Sequence, residues 1–141
     1  MADSSGVRLL YLVLCDGFAT DPSTGKRSFY GLFDRLIMLG VPSTHPTLVI
    51  GLGLEGGEGA SEICATIRNP KGVEIIRSPS VSVTPKEPYR REDIIVQING
   101  LTLSETGRHE VQIMLKDKLL GTHPLFVEKG VPNSAVEAKA G

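Results

Sequence analysis

The chain has 141 residues, 15 of them basic and 16 acidic, for a formal net charge of −1, and 40 % of its residues are hydrophobic. A chain of this length folds as one domain without disulfides or metals. Its apolar content excludes a disordered polymer, and its balanced charge argues against a nucleic-acid or anionic-membrane surface. Two cysteines, Cys15 and Cys64, are too few for a disulfide framework.

Residues 1–6 are polar, with an acid at Asp3 and no basic segment of the kind that opens a secretory signal. The apolar run from Leu9 to Leu14 is six residues long, where a membrane helix needs about twenty. These features point to a cytoplasmic protein with reduced thiols. The 16 glycines and 9 prolines are spread along the chain as punctuation between short β-branched segments, the spacing of a sandwich or barrel.

Arg8 to Phe18 is apolar on both parities, Leu10, Leu12 and Leu14 against Leu9, Tyr11 and Val13, which predicts a strand buried on both faces and therefore central. Asp21-Pro22-Ser23-Thr24-Gly25-Lys26 has the composition of a turn. Arg27 to Leu39 reads as one long strand bent at Gly31, closing a hairpin with the first. After a loop with two prolines, Thr47 to Leu54 turns Leu48, Ile50, Leu52 and Leu54 inward, and Ser61 to Arg68 turns Ile63, Ala65 and Ile67 inward. Val73 to Arg77 and Ser80 to Thr84 are short strands parted by Pro79. Asp93 to Leu103, Arg108 to Leu115 and Leu119 to Val127 complete the set, and a polar tail follows at 129–141.

The expectation is a single all-β domain over residues 7–128. It is an antiparallel two-sheet sandwich of eight to ten strands with no helix. Uneven strand lengths and the proline-broken middle favour a sandwich over a barrel. Val13, Phe33, Ile50, Ile67, Val96 and Ile113 are the expected core.

Gly51-Leu52-Gly53-Leu54-Glu55-Gly56 matches the dinucleotide pattern G-x-G-x-x-G by letters alone. That chemistry needs a helix behind the glycines, and here another strand follows, with acids at Glu58 and Glu62. The glycines are instead expected to face a bulky neighbour. Asp16 and Asp34 lie near strand ends, and a structural Asp34–Arg35 pair is favoured over acid–base chemistry. His45, His109 and His123 have no metal-ligand spacing, and Ser61 sits in no nucleophile elbow. No catalytic, cofactor-binding or metal-ligating residue is expected. Scarce aromatics weaken sugar-stacking and single-strand nucleic-acid readings.

Leu12-Val13-Leu14-Cys15-Asp16 followed by Phe29-Tyr30-Gly31-Leu32-Phe33-Asp34-Arg35-Leu36 resembles the opening of a family of small bacterial β-sandwich proteins of unknown function. The closing stretch, Gly107-Arg108-His109-Glu110-Val111 and then Leu120 to Val127, is similar both to that family and to the last hairpin of immunoglobulin-like sandwiches. In those sandwiches a tyrosine stands where this chain has His109. The resemblance implies a sandwich and no activity.

The leading expectation is a non-catalytic protein-interaction or assembly module, associating with itself or another protein. Its surface is sought at Leu119, Leu120 and Phe126 of the final strand and at Arg90 and Arg91. No nucleic acid, membrane or cofactor is expected. A module binding a small ligand or carbohydrate through the 51–59 and 85–92 loops is the alternative, and a hydrolase using Asp16, Asp34 or His109 ranks last.

Overall fold

The computed structural model of the protein describes residues 6–57, 59–84, 86 and 89–131. They form eleven strands: β1 (Arg8–Cys15), β2 (Gly17–Thr20), β3 (Arg27–Tyr30), β4 (Arg35–Met38), β5 (Ser43–Glu55), β6 (Ser61–Arg68), β7 (Glu74–Arg77), β8 (Val81–Val83), β9 (Arg91–Leu103), β10 (Gly107–Leu115) and β11 (Lys118–Lys129). One sheet has the order β1-β5-β9. The second has the order β4-β11-β10-β6-β7, with β8 also on β6. Strands β1, β5 and β9 take the places of A, B and E in an immunoglobulin-like sandwich, and β6, β10 and β11 those of C, F and G. The all-β, immunoglobulin-like expectation therefore holds.

Its details need correction. The strands number eleven, and β2 and β3 make a separate two-stranded sheet. One pairing is parallel, β11 with β4 from Phe126↔Arg35 to Lys129↔Met38. The long 27–39 strand is two, β3 and β4, parted at Gly31, which adopts φ 70° against the Asp16 side chain. Strand β1 lies at a sheet edge, because its second face is covered by the β2–β3 hairpin and not by a neighbouring strand. Lys129 ends β11, and the Gly130 amide donates to Met38 O at 2.8 Å. Residues 132–141 of the polar tail expected at 129–141 lie outside the described residues, as do residues 1–5 of the first tail.

The inner faces of the two sheets interlock as the alternation requires. Ile50, Ile67 and Ile113 are 0 % exposed and Val96 2 %. Val13 and Phe33 are half-buried instead. Val13 faces away from this core, on the outer side of the first sheet. Phe33 sits in the bend between β3 and β4, packed against the core's rim with its ring edge-on to His45 at 5.8 Å.

The outer side of the first sheet has a core of its own. Gly51 and Gly53 of β5 face outward, and a Cβ at Gly51 would lie 2.5 Å from ring carbons of Phe29. A Cβ at Gly53 would strike the Tyr11 ring. The two glycines are seats for two aromatic rings, which meet edge to face at 6.3 Å. Phe29 belongs to the hairpin, so the hairpin is held down over β5 by this contact.

Ile113 lies opposite Ala65 on one side and Gly121 on the other, in the middle of the second sheet. Replacing it with Ala should cost about 2–5 kcal/mol through lost burial and a cavity between small neighbours. Urea unfolding of the variant measures this. A change under about 0.5 kcal/mol would place the side chain on the wrong face.

Candidate functional site

A groove of about 610 Å³ lies where the hairpin turn overhangs the first sheet. The turn is built by Asp21. Its carboxylate accepts hydrogen bonds from the Ser23 amide and hydroxyl, both at 2.8 Å, and these bonds hold its pKa below the usual carboxylate range. The Asp21 amide donates to Lys26 O and the Gly25 amide to Asp21 O, each at 2.8 Å. The closed turn brings Lys26 and Arg27 to one wall of the groove. Tyr11 and Phe29 line its floor, and Lys86, Arg91, Glu92 and Asp93 supply the other wall. Four cations thus meet two acids.

Three contacts tie the walls together. The Tyr11 hydroxyl donates to Asp93 Oδ1 at 2.8 Å. Arg27 Nη1 donates to the backbone oxygen of Asp93 at 3.0 Å, while its guanidinium lies 5.9 Å from the Phe18 ring centre. Lys86 pairs with Glu92 at 3.3 Å and Arg91 with Asp93 at 3.4 Å. Both pairs are solvent-exposed, so each contributes less than about 1 kcal/mol and yields readily to a competitor. Burial, then the bond to Asp93 and its charge, push the Tyr11 pKa up to about 12.

A second, smaller groove of about 250 Å³ opens beside it, between β8 (Val81, Ser82, Val83) and β9 (Ile94, Ile95). Arg27, Glu92 and Asp93 line both grooves, so the two are continuous. They meet along the outer edge of β9. The Gly56 amide donates to Arg90 O at 2.8 Å, which sets the phase of the β5–β9 ladder. Even-numbered residues of β9 bond to β5, and Asp93, Ile95, Gln97 and Asn99 direct their backbone groups outward. Among the described residues no strand pairs with that edge, and its one bridge lies at the start, where the Lys86 amide donates to Arg91 O at 3.3 Å.

The residues expected to form an interaction surface are not brought together. Leu119 is exposed beside the β10–β11 turn, whereas Leu120 packs on the core. Phe126 lies under the Arg108 guanidinium, 5.6 Å from its ring centre, and its amide donates to Asp34 O. The end of β11, from Phe126 to Lys129, is covered by β4. Arg91 lines the larger groove. Arg90, with φ 55°, donates a hydrogen bond to Gly57 O and so clasps the 51–59 loop to the 85–92 loop.

The remaining candidates stand apart. His109 is completely buried, with Nδ1 3.2 Å from Gly107 O. A carbonyl accepts, so Nδ1 carries the proton. The bond stays within β10, two residues back along the same strand. His45 is held below its usual pKa by burial, and His123 Nδ1 bonds Pro124 O at 2.7 Å. Cys15 is buried beneath the hairpin, which pushes its thiol pKa up, and Cys64 Sγ accepts a hydrogen bond from Arg77 Nη1 at 3.3 Å. Among the described residues no three His, Cys, Asp or Glu side chains cluster as a metal site requires. Sequence reading missed the grooves because their walls come from three segments far apart in the chain. Arg91 and the 85–92 loop, which the sequence did single out, supply one wall, and Lys26 and Arg27 beside the turn supply the wall it did not.

The chain belongs to the family of unknown function DUF6941, which matches residues 10–128. No curated protein matches it. Its fold is similar to part of the alkylpurine DNA glycosylase AlkC of Pseudomonas fluorescens, solved bound to DNA containing an abasic-site analogue. That likeness has a TM-score of 0.54 at 11 % identity and covers 88 % of this chain but 31 % of the glycosylase. It is also similar to part of a β-glucosidase from Listeria innocua, with TM-score 0.50, 9 % identity, and 85 % of this chain against 16 % of that one. An immunoglobulin-like protein from Pseudomonas aeruginosa is matched over its whole length and 89 % of this chain, at 12 % identity and TM-score 0.44. The chain therefore spans less than a third of the glycosylase and about a sixth of the glucosidase. Identities this low speak to the fold alone.

Tyr11 provides a test of the groove's geometry. Its neutral form is favoured in the folded protein, so its contribution to stability is complete below pH 10, the unfolded value, and is lost as pH rises toward 12. Ultraviolet titration should show one tyrosine ionising near pH 12, and Tyr11→Phe should remove that step. If Tyr11→Phe instead removes a phenol ionising near pH 10, the hydroxyl does not face Asp93.

Proposed function

We propose that the protein is a non-catalytic protein-interaction module that binds by strand addition to the β9 edge. The observation that carries this reading is the state of that edge. Natural sheets blunt their edges with short strands, prolines, charges or covering elements, because an open row of amide and carbonyl groups templates another chain. The other edges here follow that practice. Strand β8 has three residues and follows Pro79, β7 and β4 have four each, and β1 packs beside β11, with Leu9 against Gly121. Strand β9 has 13 residues, and its centre from Ile94 to Asn99 contains neither a charge nor a proline.

An extended segment laid along β9 would gain backbone hydrogen bonds for affinity and would place its side chains alternately on the two sides of the sheet, the usual logic of strand addition. The setting expected for such a module is the cytoplasm, with no membrane or cofactor involved. This reading moves the interaction surface from Leu119, Leu120 and Phe126 to β9, and retains Arg91 at its margin.

The experiment is selection of binders from an unbiased random-peptide library on the immobilised protein, followed by affinity measurement on two variants. Gln97→Pro removes an outward amide while leaving the β5 ladder intact, since Gln97 faces the edge. It should leave the melting temperature nearly unchanged and weaken selected peptides at least tenfold. Leu119→Ser should leave their affinity unchanged. Binders indifferent to Gln97→Pro would refute docking at β9.

A further inference from the structure

Resting on that reading, we propose the chemistry of the partner: the β9 edge takes an extended segment in which acidic and apolar residues alternate. The inference comes from what borders the edge on its two sides. A strand added beside β9 turns successive side chains to opposite faces. On the inner side they enter the groove between β8 and β9, where the half-buried Val81 lies beside the buried Val83 and Ile94, with Ser82 and Glu92 at the rim. On the outer side they meet the larger groove, with Lys26, Arg27, Lys86 and Arg91 on its walls. At residues 91–95 of β9, one run of backbone therefore passes a cationic groove on one side and a groove holding Val81 on the other.

Arg27 sets the outer specificity. Its Nη1 already bonds the outward carbonyl of Asp93, so the guanidinium stands on the edge itself. A carboxylate on an added strand would find there a planar donor suited to two parallel hydrogen bonds. Lys86 and Arg91 are held by exposed pairs with Glu92 and Asp93 that a better-placed acid can displace.

Two other occupants fit less well. A nucleic acid would bring phosphate oxygens, which only accept, to an edge where the outward carbonyls of Ile95, Gln97 and Asn99 need donors. A second copy paired through β9 would offer one acid, Asp93, among the outward residues 93, 95, 97 and 99, so it lacks the alternating charge.

The test uses the full chain and defined fluorescent peptides, an eight-residue Glu–Val alternating sequence and its Lys–Val counterpart, with a single-stranded oligonucleotide alongside. Fluorescence anisotropy reads the affinities, and light scattering reads the oligomeric state. The Glu–Val peptide should bind at least tenfold more tightly than Lys–Val, with the difference shrinking as salt rises. Arg27→Gln should weaken Glu–Val at least fivefold and leave Lys–Val unchanged, while Gln97→Pro should abolish both. Equal affinities that both vanish in Gln97→Pro would overturn the acidic preference and leave docking at β9 standing. Binding unaffected by Gln97→Pro would overturn both. Tighter binding of the oligonucleotide, a dimer dispersed by Gln97→Pro, or no saturable binding of either peptide would each overturn the inference.

Discussion

Two aromatic rings resting on two glycines hold the outer half of this fold together. Strand β5 is the central strand of the first sheet, and its outward positions 51 and 53 carry no side chain. Phe29 and Tyr11 fill the resulting trough, with Gly51 and Gly53 too close to either ring to admit a Cβ. Glycine in a strand interior costs roughly 0.5–1 kcal/mol relative to Ala, and burial of two rings more than offsets it. The contact lets the β2–β3 hairpin lie flat on a sheet face that an isolated three-stranded sheet would leave open. It also fixes where the Asp21 turn projects, and so where Lys26 and Arg27 stand.

That arrangement decides which edge of the sandwich remains open. The chain spends its first strands on the β1 side. There β1 pairs with β5, the hairpin folds across, and β4 then crosses to pair with β11 in parallel. On the other side, the described residues between β7 and β9 contribute the short β8, which joins β6 of the second sheet instead of β9, and a single bridge from Lys86 to Arg91. The place beside β9 in the first sheet is consequently left without a strand among the described residues. The hairpin turn reaches it only with the Arg27 guanidinium. Fold and candidate site are thus consequences of one packing choice.

The inward rows of β5, β6, β9 and β10 were legible in the sequence because alternation reports directly on which face is buried. The 21–26 turn and the bulky neighbour of the 51–53 glycines were legible for the same local reason. Lateral position was not. The two-sided apolar pattern of β1 states that both faces are covered, but a hairpin covers a face as well as a second sheet does, so a buried strand can still be an edge. Val13 was misplaced by that ambiguity, and Phe33 by a bend at Gly31 that breaks the parity count. The parallel β4–β11 pairing joins residues some ninety positions apart and leaves no local mark. The edge that matters is marked by the absence of any guard, which becomes visible only once the neighbours of β9 are known. His109 is fully buried, and its Nδ1 finds a partner in Gly107 O two residues back along its own backbone.

Residue-resolved amide hydrogen exchange along β9 tests this account most directly, since it reports each backbone donor separately. The ladder predicts alternation. The amides of Ile94, Val96 and Ile98, bonded to β5, should be strongly protected, and those of Ile95, Gln97 and Asn99 should exchange orders of magnitude faster. Uniform protection along the strand, or protection of the odd-numbered amides instead, would contradict an open β9 edge and with it the docking surface built on it.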